Sequence, residues 1–94
     1  MRGNKIKDKM KMGHMSYGCQ LAFPSEILVE LMGKAGLDFV LLDGEHGVFG
    51  WESLDDMCRV ADFAGVTPIA RVPNIEASTI LRYLDRGVMG ILGP

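Results

Sequence analysis

Cysteine is scarce in this chain and poorly placed for a staple. Cys19 and Cys58 stand 39 positions apart, with no CxxC pair and no histidine at zinc-finger spacing. A metal knuckle is therefore not indicated, and both thiols read as reduced side chains packed among hydrophobic residues. No run of 18 apolar residues occurs, and no apolar segment is followed by a small-residue cleavage site, so neither a membrane span nor a secretory signal is indicated. The expected location is cytoplasmic. GxGxxG and GxxxxGKS are both absent, which removes the usual signals for nucleotide binding, and no serine nucleophile elbow appears. The lysines are also informative by position. Lys5, Lys7, Lys9 and Lys11 lie in the first dozen residues and Lys34 in a helical stretch, so no Schiff-base lysine stands at a strand end.

What is present is the composition of an ordinary folded domain. The 94 residues are 48% hydrophobic and 23% charged, with a formal net charge of −2, which excludes a disordered or collagen-like chain. A chain of this length holds one domain at most and buries roughly 60 to 65% of its unfolded surface. The charge is unevenly spread, with a net of +4 over residues 1–12 and −6 over residues 13–94. The basic arm contains Asp8, which argues against a mitochondrial presequence. It carries no aromatic residue, and the acidic body would repel phosphates, so nucleic acid is not an expected partner. Residues 1–15 read as a solvated lead-in and residues 16–94 as the folded unit.

Periodicity gives a regular alternation. Residues 16–22 read as a short strand, and Ser25 as the N-cap of a helix striped by Leu28, Leu31, Met32 and Ala35 and stopped by Gly36. Residues 38–43 are a continuous apolar run, the pattern of a strand covered on both faces. Trp51, Leu54, Met57, Cys58 and Ala61 stripe a second helix that ends at Gly65. Residues 67–72 form a third strand, with Pro68 tolerable only near its start. Ile80, Leu81 and Leu84 stripe a third helix, and residues 88–92 form a fourth strand. The fold class is α/β, built of parallel β/α units with right-handed crossovers. Spacing alone does not choose between a barrel and an open doubly wound sheet. The stop at Pro94, directly after a strand, reads as the truncated first half of a longer fold. A short flavodoxin-like unit and a self-associating fragment with an open sheet edge are the alternatives.

In parallel α/β folds chemistry gathers where strands end. The second strand runs into Asp43-Gly44-Glu45-His46-Gly47 and the third ends in Arg71, which places these groups on one rim, roughly 5 to 10 Å apart given a strand spacing of about 4.8 Å. Arg71 supplies a permanent cation suited to a carboxylate or an enolate oxygen. His46 can hold or move a proton near neutral pH, and Asp43 could fix its tautomer and raise its basicity. The glycines let the backbone turn tightly and a ligand approach closely. The set suits proton transfer beside a carbonyl, or carbon–carbon cleavage of an anionic substrate. The plainer alternatives are a solvated His46 and an Arg71 that merely pairs with Glu45 or Asp43. Asp43 and Glu45 alone would make a poorly filled metal site. Asp85 and Arg86, at the end of the third helix, read as a surface pair.

Three segments carry a resemblance. They are Ala35-Gly-Leu-Asp-Phe-Val-Leu-Leu-Asp-Gly-Glu-His-Gly47, Gly65-Val-Thr-Pro-Ile-Ala-Arg-Val-Pro73 and Leu84-Asp-Arg-Gly-Val-Met-Gly-Ile-Leu-Gly-Pro94. In this order and separation they resemble the HpcH/HpaI aldolases, the class II metal-dependent pyruvate aldolases, from about residue 16 onwards. The resemblance implies the N-terminal half of a (β/α)8 TIM barrel, usually a homo-oligomer (a hexamer). It implies a lyase that cleaves 4-hydroxy-2-oxo acids to pyruvate and an aldehyde through an enolate, with Mg, Mn or Co. A citrate-lyase-like reaction is the alternative within the superfamily. His46 would match the catalytic histidine, Asp43 its supporting aspartate, Arg71 the arginine on the pyruvate carbonyl oxygen, and Asp85 an aspartate near the active site and subunit boundary. Many members have tryptophan where Gln20 stands, which marks Gln20 as a substrate-pocket position. The implied metal ligands, a Glu and an Asp, lie beyond Pro94, so the 94 residues by themselves are expected to be inactive.

Overall fold

A computed structural model describes residues 4–94. Met1 and Arg2, part of the basic arm, lie outside the described residues. The elements in chain order are α1 (Lys5–Lys11), β1 (Gly18–Leu21), α2 (Glu26–Lys34), β2 (Phe39–Asp43), α3 (Trp51–Ala64), β3 (Thr67–Arg71), α4 (Ala77–Asp85) and β4 (Gly90–Leu92). Every expected strand and helix is present, shortened by a residue or two at the ends. Ser25 caps α2 by accepting the Leu28 amide at 3.2 Å, and Gly65 ends α3 at a φ of 80°.

The four strands are parallel and run in the order β1-β2-β3-β4. That order answers what spacing left open. A doubly wound sheet reverses its strand order at a switch point and carries helices on both faces, whereas strands laid down in sequence with right-handed crossovers keep all helices on one side, as in one wall of a barrel. The core lies between the sheet and this helical layer. Val40, Leu42 and Ala70 from the sheet meet Val29, Leu54, Met57 and Ala61 from α2 and α3. β2 is covered less evenly than its apolar run predicts: Val40 and Leu42 are fully buried, while Phe39 and Leu41 on the opposite face are half-buried.

Four local expectations are corrected. The lead-in is not simply solvated, because α1 forms over its Lys-rich residues, capped by Asn4 and tied down by Lys9, whose ammonium lies 2.9 Å from the buried Asp38 carboxylate. Asp38 also accepts the Tyr17 amide at 2.9 Å. Cys19 is exposed, because β1 is an edge strand with a neighbour on one side only. Cys58 is buried as expected, and desolvation pushes its thiol up to about 12. The α2 stripe is rotated: Val29 is the residue that reaches the core, and Leu31 is exposed. On α4 the buried side chain is Tyr83, with Leu81 and Leu84 exposed.

Candidate active site

The site grows out of strand register. Asp43 and Arg71 are lateral partners on β2 and β3, and Gln20 sits two positions earlier on β1, level with Leu41. Side chains alternate along a strand, so Gln20, Asp43 and Arg71 share the face turned away from the helices. They stand at the strands' C-terminal ends, where parallel α/β folds gather their chemistry.

Asp43 is the hub. Its side chain is 1% exposed, and a buried carboxylate must be paired to stay ionised. Oδ1 accepts the amides of Glu45 at 3.0 Å and His46 at 2.9 Å. Oδ2 accepts Gln20 Nε2 at 2.6 Å and lies 4.0 Å from Arg71 Nη1. The His46 amide above all, then the Glu45 amide and the imidazole, hold the Asp43 carboxyl below its ordinary range, against burial, which pushes the other way. His46 Nδ1 stands 3.4 Å from Asp43 Oδ2, and its Nε2 stands 3.5 Å from Glu45 Oε1. The imidazole thus lies between two carboxylates with 65% of its side chain exposed. Neither distance is a closed hydrogen bond. Asp43 spends its lone pairs chiefly on the backbone of the turn that presents His46, and only its second oxygen looks towards the ring.

The glycines serve a different approach from the one expected. A Cβ at Gly44 would lie 2.2 Å from the Tyr83 hydroxyl and 2.8 Å from the Arg71 carbonyl oxygen, and one at Gly47 would lie 2.3 Å from the Asp43 carbonyl oxygen. The close neighbours are the protein's own groups. The Gly44 amide donates to the Arg71 carbonyl at 2.8 Å, lashing the turn to the end of β3, and the Gly47 amide donates to the Asp43 carbonyl at 2.9 Å.

Gln20, Asp43, His46 and Arg71 therefore come together. Asp85 does not join them: it is exposed at the last residue of α4, and among the described residues no hydrogen bond or ion pair links it to the cluster. Sequence reasoning missed Tyr83, which lies 39 positions from Gly44 and whose only signal is an aromatic at helical spacing. It also missed the Gln20–Asp43 bond, since Gln20 was singled out as a pocket position alone. Among the described residues no group of three or more His, Cys, Asp or Glu side chains could hold a metal ion. With Asp43 fully engaged, these residues do not fit the divalent metal that the resemblance implies.

No protein-family model matches the chain. It is 33% identical over 91 residues to a hydroxypyruvate/pyruvate aldolase of Roseobacter denitrificans, covering 97% of this chain and 36% of the relative. It is 34% identical over the same length to a 5-keto-4-deoxy-D-glucarate aldolase of Salmonella paratyphi A, again covering 97% and 36%. The chain thus spans about a third of the length of the curated relatives it matches. Among solved structures it superposes on the citrate synthase SbnG with a TM-score of 0.88 and 32% identity, covering 95% of this chain and 36% of that one. On an HpcH/HpaI aldolase from Desulfitobacterium hafniense the TM-score is 0.85 and the identity 29%, with 92% and 34% covered. In sequence and in fold, this chain is similar to the N-terminal third of pyruvate-type aldolases and of a solved HpcH/HpaI aldolase.

Proposed function

We propose that the chain carries the proton-handling and anion-binding half of a pyruvate aldolase site, acting on 4-hydroxy-2-oxo acids to give pyruvate and an aldehyde. The observation that supports this most is the meeting of His46, Asp43 and Arg71 on one rim, with Arg71 beside Asp43 in the ladder. In the cleavage direction the C4 hydroxyl loses its proton, the C3–C4 bond breaks to release the aldehyde, and the electron pair passes to the 2-oxo group as an enolate. A proton returned to C3 completes pyruvate. His46, exposed and flanked by two carboxylates, takes and returns the proton. The Arg71 guanidinium binds the 2-oxo oxygen and stabilises the charge that develops there. Asp43 holds the turn that carries His46, and Gln20 secures Asp43 while lining the pocket.

The divalent metal (Mg, Mn or Co) expected from the resemblance finds no set of ligands among the described residues. Its ligands are expected from outside these 94 residues, and none of the steps assigned here to His46, Asp43 and Arg71 runs through it.

Pyruvate and aldehyde release from a 4-hydroxy-2-oxo acid, measured with Mn or Mg in a chimera that joins residues 1–94 to the remaining part of one of the aldolase relatives, tests the assignment. Arg71→Ala is expected to reduce the rate by about 100- to 1,000-fold; an undiminished rate would remove Arg71 from the reaction. Likeness to SbnG favours a second reading, carbon–carbon chemistry of the citrate-lyase kind. A screen of 2-oxo acid and acyl substrates separates the two by product.

A further inference from the structure

The loop that carries Glu45 and His46 rests at both ends on one side chain. At its start, Gly44 lies so close to Tyr83 that a Cβ there would stand 2.2 Å from the phenol oxygen and 2.9 Å from the ring carbon bearing it. Just beyond its far end, the Trp51 ring meets the Tyr83 ring edge to face, with centroids 5.0 Å apart and planes at 70°. Tyr83 is buried and arrives from α4. The same helix braces Trp51 a second time, since the Arg82 guanidinium lies 4.2 Å from the centre of the indole. Just past the end of α4, Arg86 Nη1 binds Asp55 Oδ2 at 3.0 Å and pins the second turn of α3 to that end.

We propose that Tyr83 is the positioning residue of this site: by bearing on Gly44 and Trp51 together, it fixes the span of the 44–50 loop and hence the place of His46 relative to Arg71. A side chain that touched one end would steady that end alone. Touching both sets the distance between them, and the Gly44 amide bonded to the Arg71 carbonyl ties that distance to β3. The rings carry the effect, so the hydroxyl contributes only the last contact against Gly44. The kinetic arm of the test rests on the aldolase reading; the exchange arm does not.

Tyr83→Phe and Tyr83→Leu are compared with Val29→Ala, a cavity-forming change in the core on α2, at equal offsets below each Tm. Tyr83→Leu is expected to lower kcat for pyruvate formation by about 10- to 100-fold while KM changes by less than about 3-fold, and to shift the pH profile of kcat. Tyr83→Phe recovers most of the rate, and Val29→Ala keeps it. Hydrogen exchange at the Glu45 and His46 amides is expected to quicken about 10-fold in Tyr83→Leu and to stay unchanged in Val29→Ala. If Tyr83→Leu does not fold, Trp51→Leu removes the far support and is read in the same way. Equal exchange at these amides in the Tyr83 (or Trp51) and Val29 variants overturns the proposal, as does an equal fall in kcat. A protein that supplies the missing metal ligands and still lacks aldolase activity counts against the aldolase reading, and the exchange result then decides the role of Tyr83.

Discussion

Asp43 shows how much one carboxylate can hold together when it is buried. Three donors converge on it, two of them amides of the turn that presents His46. Its depressed pKa has a defined consequence for stability. A group more acidic in the folded chain than in the unfolded one contributes stability that is fully present above the unfolded value, about 3.9 for aspartate, and lost as pH falls through the lower folded value. The 43–47 turn is therefore expected to hold from neutrality down to about pH 4 and to open below it. Exchange at the Glu45 and His46 amides, followed downward in pH, checks this, and Asp43→Ala should show the acid-opened behaviour already at pH 7. The cluster was legible in the sequence because three ionisable residues in four positions, interrupted and followed by glycine at a strand end, are uncommon. Its inner wiring was not, since which oxygen serves an amide and which faces the imidazole is decided by side-chain angles that a string of residues does not carry.

At the scale of elements, strands, helix limits and the face of α3, whose Leu54, Met57, Cys58 and Ala61 are buried, were readable, and the faces of α2 and α4 were not. A strand of apolar residues or a Ser25 cap is a local signal. Facing is set by the partner, and α2 and α4 carry apolar residues on more than one side, so the stripe Leu28, Leu31 competed with the true contact Val29, and Leu81, Leu84 with Tyr83. The helix α1 was illegible for another reason. Seven residues, four of them lysine, make a helix too short to persist alone, and its anchor, Asp38, lies 29 positions away. Lys9→Ala is accordingly expected to fray α1 and to cost about 1 kcal/mol, less than a fully buried charge-assisted bond because the ammonium is partly solvated. Urea unfolding measures the loss, and amide exchange confined to residues 5–11, with the sheet unchanged, locates it.

For the whole molecule, strand order carries the most information. Four parallel strands in sequence, helices on one side, and Phe39 and Leu41 half-covered on the other describe a wall with an inner surface. Apolar side chains on the outer helices add to what is uncovered, with Ile27 at 72% and Phe63 at 88% exposure. Apolar surface left in water on both sides of the sheet favours contact with another copy. Prepared as these 94 residues alone, the chain is expected to sediment above its 10.3 kDa mass as concentration rises, and Phe63→Glu to shift it back towards that mass. A single 10.3 kDa species at high concentration would mean that this surface is tolerated in water.

The lateral pairing of Asp43 with Arg71 has one further consequence. Because the acid and the cation are mounted on adjacent strands at the same level, their separation is inherited from the backbone hydrogen-bond repeat, about 4.8 Å, and not from any loop. Loops can lengthen, shorten or be replaced without disturbing that gauge. The acid–cation pair is written on the rigid scale of the sheet, and only what surrounds it is left to parts that can drift.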